Sequence, residues 1–313
     1  MPQNGIKTSI KQSLPGHSRD IAGSLMKVIR SGTLGFCMGV RRAIDMALRE
    51  SVEKDCRVYS LGPLIHNPDV LQDLRNHGIQ ILKEEEIPSV PGDSTVIIRA
   101  HGISPAVEGE LTRRGLRIID ATCPHVKANQ NKARLLSSKG FHIFLAGEKE
   151  HGEIAGIRGY VEGPCSVVAN PEAARVEAEK LAVKYPSKKT ALIGQTTISH
   201  EEYRAIGEAI KRYYPALEII DTICVETRRR QDALRELGGQ VDAFIIAGGR
   251  ESANTRRLLS IAENCGKKAW LVEKPEDLPP EIGDYKIVGL CSGASTPDKI
   301  IAEIEEELMV RSV

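Results

Sequence analysis

IIDATCPHV, residues 118–126, and IIDTICVET, residues 219–227, share one local design: Ile-Ile-Asp, two further residues, and a cysteine that opens a helical pattern. GTLGFCMGVRRAID, residues 32–45, places Cys37 in the same relation to the amphipathic stretch that follows it. Outward from each cysteine, the next polar strand end arrives at a nearly constant distance. It is 29 residues from Cys37 to His66, 28 from Cys123 to His151 and 28 from Cys224 to Ser252. A second polar segment follows each time: RAHGIS around His101, IGQTTIS around Thr196 and CSGAST around Ser295, at 64, 73 and 71 residues from the same cysteines. Self-similarity of this kind marks repeated structural units.

Between these points, short apolar runs alternate with amphipathic stretches. The runs include VIIRA (96–100), FHIFLAG (141–147), ALIGQ (191–195), AFIIAGG (243–249) and KIVGL (286–290), and the amphipathic stretches include RRAIDMALRESVEK and SHEEYRAIGEAIKRYY. This alternation predicts an α/β fold with mainly parallel sheets, and polar clusters at strand ends are where such sheets build their sites. The repeat predicts three similar α/β units, each giving one cysteine and two polar loops to a shared centre. Counted from the cysteines, the units run over 26–122, 123–222 and 223–313, with the C-terminal segment packing back on the first. Residues 1–25 are polar, rich in Ser, Gly and Lys and without periodicity, and read as a disordered extension.

The bulk properties narrow the chemistry. A chain of 313 residues with 41% apolar content can bury several cores. Its 43 basic and 42 acidic side chains are interspersed, leaving no field of one sign to grip a nucleic-acid backbone. No apolar run approaches the roughly 18 residues needed to cross a bilayer. Seven cysteines without a CxxC pair argue against a disulfide framework and for a reducing, cytoplasmic setting in which thiols are free to act as ligands. The chain holds neither GxG nor GxxxxGK[ST], which disfavours nicotinamide and ATP binding.

A cysteine between a strand end and a helix start sits at the positive end of the helix dipole, which lowers its pKa and favours the metal-binding thiolate. Three such thiolates without a matching fourth ligand suit a zinc ion with an open position, or a [4Fe-4S] cluster with one iron free. Cys56, Cys165, Cys265 and Cys291 fall outside the repeat and read as packing residues. The polar segments offer His66, His101, His151, Thr196, Ser252, Asn254 and Ser295, many beside glycines, a combination suited to the oxygens of a small anion. Glu153, two residues after His151, is a candidate proton donor. His17, His77, His125, His142 and His200 lie off the recurring positions and receive no role. RRRQ at 228–231 reads as a solvated helix face that could steer anions.

Taken in order, GFCMGVRRAI, LIHN, RAHG, DATCP, HGE, GQTT, DTIC, SAN and GAS resemble the LytB family, the 4-hydroxy-3-methylbut-2-enyl diphosphate reductases, from about Met26 to the C-terminus. The resemblance implies a pseudo-three-fold trefoil around a [4Fe-4S] cluster held by Cys37, Cys123 and Cys224. It implies a diphosphate pocket lined by His66, His101, His151, Thr196, Ser252, Asn254 and Ser295, with Glu153, relayed by Thr196, as the proton source. It also implies reductive removal of a hydroxyl group to give isopentenyl and dimethylallyl diphosphates, fed by reduced ferredoxin or flavodoxin. Three positions depart from the family pattern: Ala253 stands where a second serine is common, Gly152 where proline is common, and Glu226 where alanine is common. A non-redox [4Fe-4S] dehydratase or condensing enzyme would share the cysteines without needing electrons. A cluster-bearing sensor or RNA-binding protein would rest on the arginine run alone.

Overall fold

The apolar runs become the inner strands of three sheets, and each recurring cysteine stands where the chain leaves one sheet for the next. The computed structural model describes residues 26–52 and 56–311, so the expected extension at 1–25 lies outside the described residues. The described chain begins with β1 (Lys27–Arg30), after which Cys37 caps α1 (Met38–Ser51). Strands β2 (Val58–Leu61), β3 (Ile79–Leu82), β4 (Thr95–Ile98) and β5 (Arg117–Asp120) form a parallel sheet in the order β3-β2-β4-β5, with α2 (Pro68–Asn76) and α3 (Pro105–Arg113) as crossovers.

Cys123 then caps α4 (Pro124–Ser138), and the arrangement repeats. Strands β6 (His142–Ala146), β7 (Cys165–Val168), β8 (Thr190–Gly194) and β9 (Glu218–Ile219) lie in the order β7-β6-β8-β9, joined by α5 (Gly152–Gly159), α6 (Pro171–Lys184) and α7 (His200–Lys211). Cys224 caps α8 (Val225–Gly238), followed by β10 (Ala243–Ala247), α9 (Ala253–Asn264), β11 (Lys268–Val272), β12 (Ile287–Ser292) and α10 (Asp298–Val310).

The third sheet runs β11-β10-β12-β1, and its fourth strand is taken from the start of the described chain. Strand β1 pairs in parallel with β12, from Lys27 opposite Ile287 to Arg30 opposite Leu290. This corrects the division at residue 26, which counts β1 with the first unit. In every sheet the fourth strand (β5, β9 or β1) is the one that leads to a recurring cysteine, so β1 belongs with β10–β12 although it comes first in sequence. The C-terminal segment meets the first cysteine's segment through β1 and through the bond from Cys37 N–H to the carbonyl of Ala294, at 3.0 Å.

Strands β6, β8 and β10 are buried on both faces, as their unbroken apolar runs require. In β6, Phe144 faces one core cluster and Ile143 and Leu145 face another, following the two-residue alternation of a strand. Each fully buried large side chain of this kind contributes about 1.5–3 kcal/mol. Proline in the first turn and a capping Asn or Ser start α2, α3 and α6 at defined residues, which fixes where the preceding loops end. Among the described residues no helix is long and apolar enough to cross a membrane.

Candidate active site

Three helix N-termini meet at one cavity. Cys37, Cys123 and Cys224 are the residues immediately before α1, α4 and α8, all three are free thiols, and all three line this cavity. A β-carbon placed on Gly39 would lie 2.7 Å from Cys123 Sγ and 4.0 Å from Cys37 Sγ, so those sulfurs are no farther apart than the two distances laid end to end. Cys224 is near enough to act electrostatically on Cys123, as Cys37 is on both. The expected lowering of thiol pKa is not what the protein alone provides. Burial pushes Cys123 and Cys224 upward, and backbone N–H groups of His125 and Val126, or of Thr227 and Glu226, offset it only in part. Desolvation outweighs the helix end until a cation arrives to hold the thiolates.

His66, His101 and His151 form a second group on the same cavity. Their ring centroids are 4.9 Å (His66 to His101), 5.2 Å (His101 to His151) and 6.1 Å (His66 to His151) apart. One ring nitrogen from each falls within 4.8 Å of the others. Burial keeps all three neutral, taking His151 down to about 4 and His101 well below its ordinary range. Repulsion among the rings, and from Arg99, adds to the effect. His151 Nδ1 accepts from the N–H of Glu153 at 3.2 Å, which leaves the proton of the neutral ring on Nε2. Three rings this close can share a divalent cation or take up protons around an anion. Arg99 and Arg256 both act on His66 as positive charges, and that field favours the anion.

Glu153 sits in the first turn of α5 and is 1% exposed. Its Oε1 accepts from Thr196 N–H at 2.7 Å and its Oε2 from the Thr196 hydroxyl at 2.8 Å. Both bonds favour the carboxylate, yet burial prevails and raises the pKa to about 7, where a carboxyl can give and regain a proton at neutral pH. Opposite, Ser252 caps α9 by accepting from Thr255 N–H at 3.3 Å, and the Ser295 hydroxyl donates to the His66 carbonyl at 3.3 Å. Among the described residues the buried Asn254 amide has no partner for its oxygen or its nitrogen. A buried amide open at both ends and facing a cavity can give and accept hydrogen bonds to what enters it. All eleven residues singled out from the sequence line this one cavity.

A family model described as LytB protein matches residues 28–309. The chain belongs to the LytB family. The 4-hydroxy-3-methylbut-2-enyl diphosphate reductase of Treponema denticola is 43% identical over 294 residues, covering 91% of this chain and 99% of that protein. The reductase of the same name from Aquifex aeolicus is 37% identical over 286 residues, covering 91% and 96%. Among solved structures, the E-1-hydroxy-2-methyl-but-2-enyl-4-diphosphate reductase from Plasmodium falciparum superposes with a TM-score of 0.84 at 28% identity, covering 90% of this chain and 87% of that one. A second, described as (E)-4-hydroxy-3-methyl-but-2-enyl diphosphate reductase, the terminal enzyme of the non-mevalonate pathway, gives 0.66 at 36%, covering 91% and 100%.

Against the LytB pattern, the departures have local reasons. A β-carbon on Gly152 would lie 2.8 Å from Nη2 of Arg99, so the position common for proline here accommodates a guanidinium. Ala253 lines the cavity at the first turn of α9, where backbone N–H groups lack intrahelical partners. Glu226 also lines the cavity and pairs with Arg229 at 3.1 Å. Some residues given no role belong to the site. His125 is on the cavity wall, and Arg99, in the RAHG segment, adds to the burial that keeps the histidines neutral. The solvated face read from RRRQ holds for Arg229, 66% exposed, but Arg230 and Gln231 are buried because helical spacing places them with Thr227 and Leu234 on the inner side. Cys56, Cys165 and Cys291 pack against apolar clusters, whereas Cys265 is exposed just after α9, a correction to its reading as a packing residue.

Proposed function

We propose that this chain reductively dehydroxylates (E)-4-hydroxy-3-methylbut-2-enyl diphosphate to isopentenyl and dimethylallyl diphosphates, the last step of the non-mevalonate isoprenoid pathway. One observation carries the reading: thiols from three unit junctions, three neutral histidines and a buried carboxyl of pKa about 7 line a single cavity. The thiol set of Cys37, Cys123 and Cys224 suits one [4Fe-4S] cluster with an iron free of protein ligands. Held by these thiols, the cluster would supply the two electrons, one at a time, and a Lewis-acidic iron. The reaction consumes two electrons and two protons, breaks one C–O bond and releases water.

The remaining work falls to the chain's own residues. His66, His101 and His151, with Ser252, Asn254 and Ser295, hold the diphosphate, and the open amide of Asn254 gives and accepts hydrogen bonds there. Glu153 holds the proton, and Thr196, bonded to it by both N–H and hydroxyl, passes it toward the substrate oxygen and carbon. Buried walls, including Ile65, Val126 and Ala100, exclude water that would compete for that proton. Reduced ferredoxin or flavodoxin is the expected electron donor, in a cytoplasmic setting that keeps the seven thiols reduced.

Protein purified without air and given a strong one-electron reductant should convert the hydroxylated diphosphate to both five-carbon products, with iron and sulfide near four each per chain. A loaded cluster without reductant-dependent turnover would reject the reductase in favour of a non-redox enzyme.

A further inference from the structure

Arg230 lies on α8, six residues beyond Cys224, and is 2% exposed. Its Nη2 donates to the carbonyl of Gly35 at 2.8 Å, and its Nη1 to the carbonyls of Ser292 at 3.3 Å and Thr33 at 3.4 Å. These acceptors belong to the segment just before Cys37 and to the end of β12, which are further tied by the bond from Gly35 N–H to Ser292 Oγ at 3.0 Å. The guanidinium therefore fastens the Cys37 segment to the third sheet from within the second cysteine-capped neighbour.

None of those acceptors carries a charge. Among the described residues no carboxylate comes within 4.0 Å of the Arg230 nitrogens, and Nε is buried without a partner. A buried cation without a counter-ion costs several kcal/mol, so a fold that keeps one places an anion nearby. Once ionised, Cys37 and Cys224 act on Arg230 as negative charges, as does Glu226, which is already paired with Arg229.

We propose that Arg230 is the fixed counter-charge of the cysteine site, a positioning residue that holds the Cys37 segment in place and favours the reduced, more negative state of the bound cluster. The proposal rests on the iron–sulfur reading above. A [4Fe-4S] core in its 2+ state with three thiolates carries one net negative charge, and adding an electron doubles it. A cation at fixed distance stabilises the doubly negative state more, which raises the reduction potential. Arginine does not release its proton in a protein, so this contribution stays constant with pH.

The test uses anaerobically prepared holoenzyme as wild type, Arg230→Gln and Arg230→Lys, with iron and sulfide content, circular dichroism and the midpoint potential of the cluster measured for each. Loaded Arg230→Gln should show at least a tenfold smaller equilibrium constant for one-electron reduction, a shift of about 59 mV to more negative potential. Arg230→Lys should stay within about threefold of wild type near pH 7 and then fall as a buried ammonium loses its proton at higher pH, a step that wild type lacks. A loaded Gln variant at the wild-type potential overturns the proposal. Should the Gln variant fail to load, a Lys variant that follows the wild-type pH profile overturns it. Wild-type protein without iron and sulfide would reject the cluster reading itself, an outcome distinct from an unchanged potential in loaded variants.

Discussion

Gly39→Ala isolates the geometry of the cysteine site from the stability of the fold. Gly39 is buried in the first turn of α1, two residues after Cys37, and an alanine β-carbon there would stand 2.7 Å from Cys123 Sγ. Ordinary contact begins at 3.4 Å, so the sulfur must retreat by about 0.7 Å or turn away, against a tolerance of about 0.2 Å in a metal–ligand distance. The same β-carbon lies 4.0 Å from Cys37 Sγ and narrows the space between the two thiols. In the metal-free protein the Cys123 sulfur can rotate aside, and the gain of alanine over glycine as a helix former, up to ~1 kcal/mol, offsets the tight approach to the Cys123 β-carbon at 3.3 Å. We therefore expect a metal-free variant as stable as wild type, or slightly more so, that retains less than a tenth of the wild-type iron and sulfide after anaerobic reconstitution. Iron and sulfide analysis, visible absorbance and thermal melts of the metal-free forms check this. A variant that loads a full complement would show that Cys37 and Cys123 do not grip one group across Gly39, and the cysteine assignment would fall with it.

Glu153→Gln keeps the shape and an acceptor for the Thr196 N–H, turns the bond with the Thr196 hydroxyl around so that the amide donates, and removes the acid; it should lower turnover by at least 100-fold with cluster content retained and substrate affinity unchanged or tighter, as read by product formation and calorimetry. The substitution should also stabilise the metal-free protein at high pH. A carboxyl raised from 4.5 to about 7 favours folding fully below pH 4.5 and loses that advantage as pH rises through 7, so the Gln variant gains about 3 kcal/mol at pH 8 and nothing below pH 4.5, measurable by denaturant unfolding. Diphosphate binding should take up protons. The histidines are neutral when the cavity is empty, and an anion raises their pKa values, so affinity should strengthen as pH falls from 8 toward 6, and calorimetry in buffers of different ionisation enthalpy should register the uptake. Binding with no proton exchange would remove the histidines from the anion site.

The cysteine, histidine and hydroxyl positions were legible because the chain states the pattern three times, and a strand end followed by a cap residue has one place to go in a parallel sheet. What stayed hidden depends on which segments meet in space. Strand β1 is too short to announce its partner, and its pairing with β12 follows only from closing the third sheet. Arg99 and Arg230 look like surface cations in sequence, and only the approach of Gly152 to the one and of the Gly35 carbonyl to the other shows Arg99 half-buried and Arg230 buried. The raised thiol pKa values were hidden too, because a helix end can be read from sequence whereas the depth of burial around Cys123 and Cys224 cannot.

The charges around the cavity favour a substrate that brings negative charge with it. Before binding, burial holds His66, His101 and His151 neutral beside Arg99, so the pocket is short of the protons it could carry. Glu153 stands at about 7, between its two states. On the proposed reading, a diphosphate entering this space pushes all these pKa values upward, toward protonated imidazoles that hold it and toward the acid form of Glu153. The proposed reaction consumes two protons, and on that reading the arrival of the anion fills the carboxyl assigned to deliver them. Binding and proton loading are then one event, which gives a physical reason for placing the carboxyl, the imidazoles and the thiols around a single cavity rather than in separate sites.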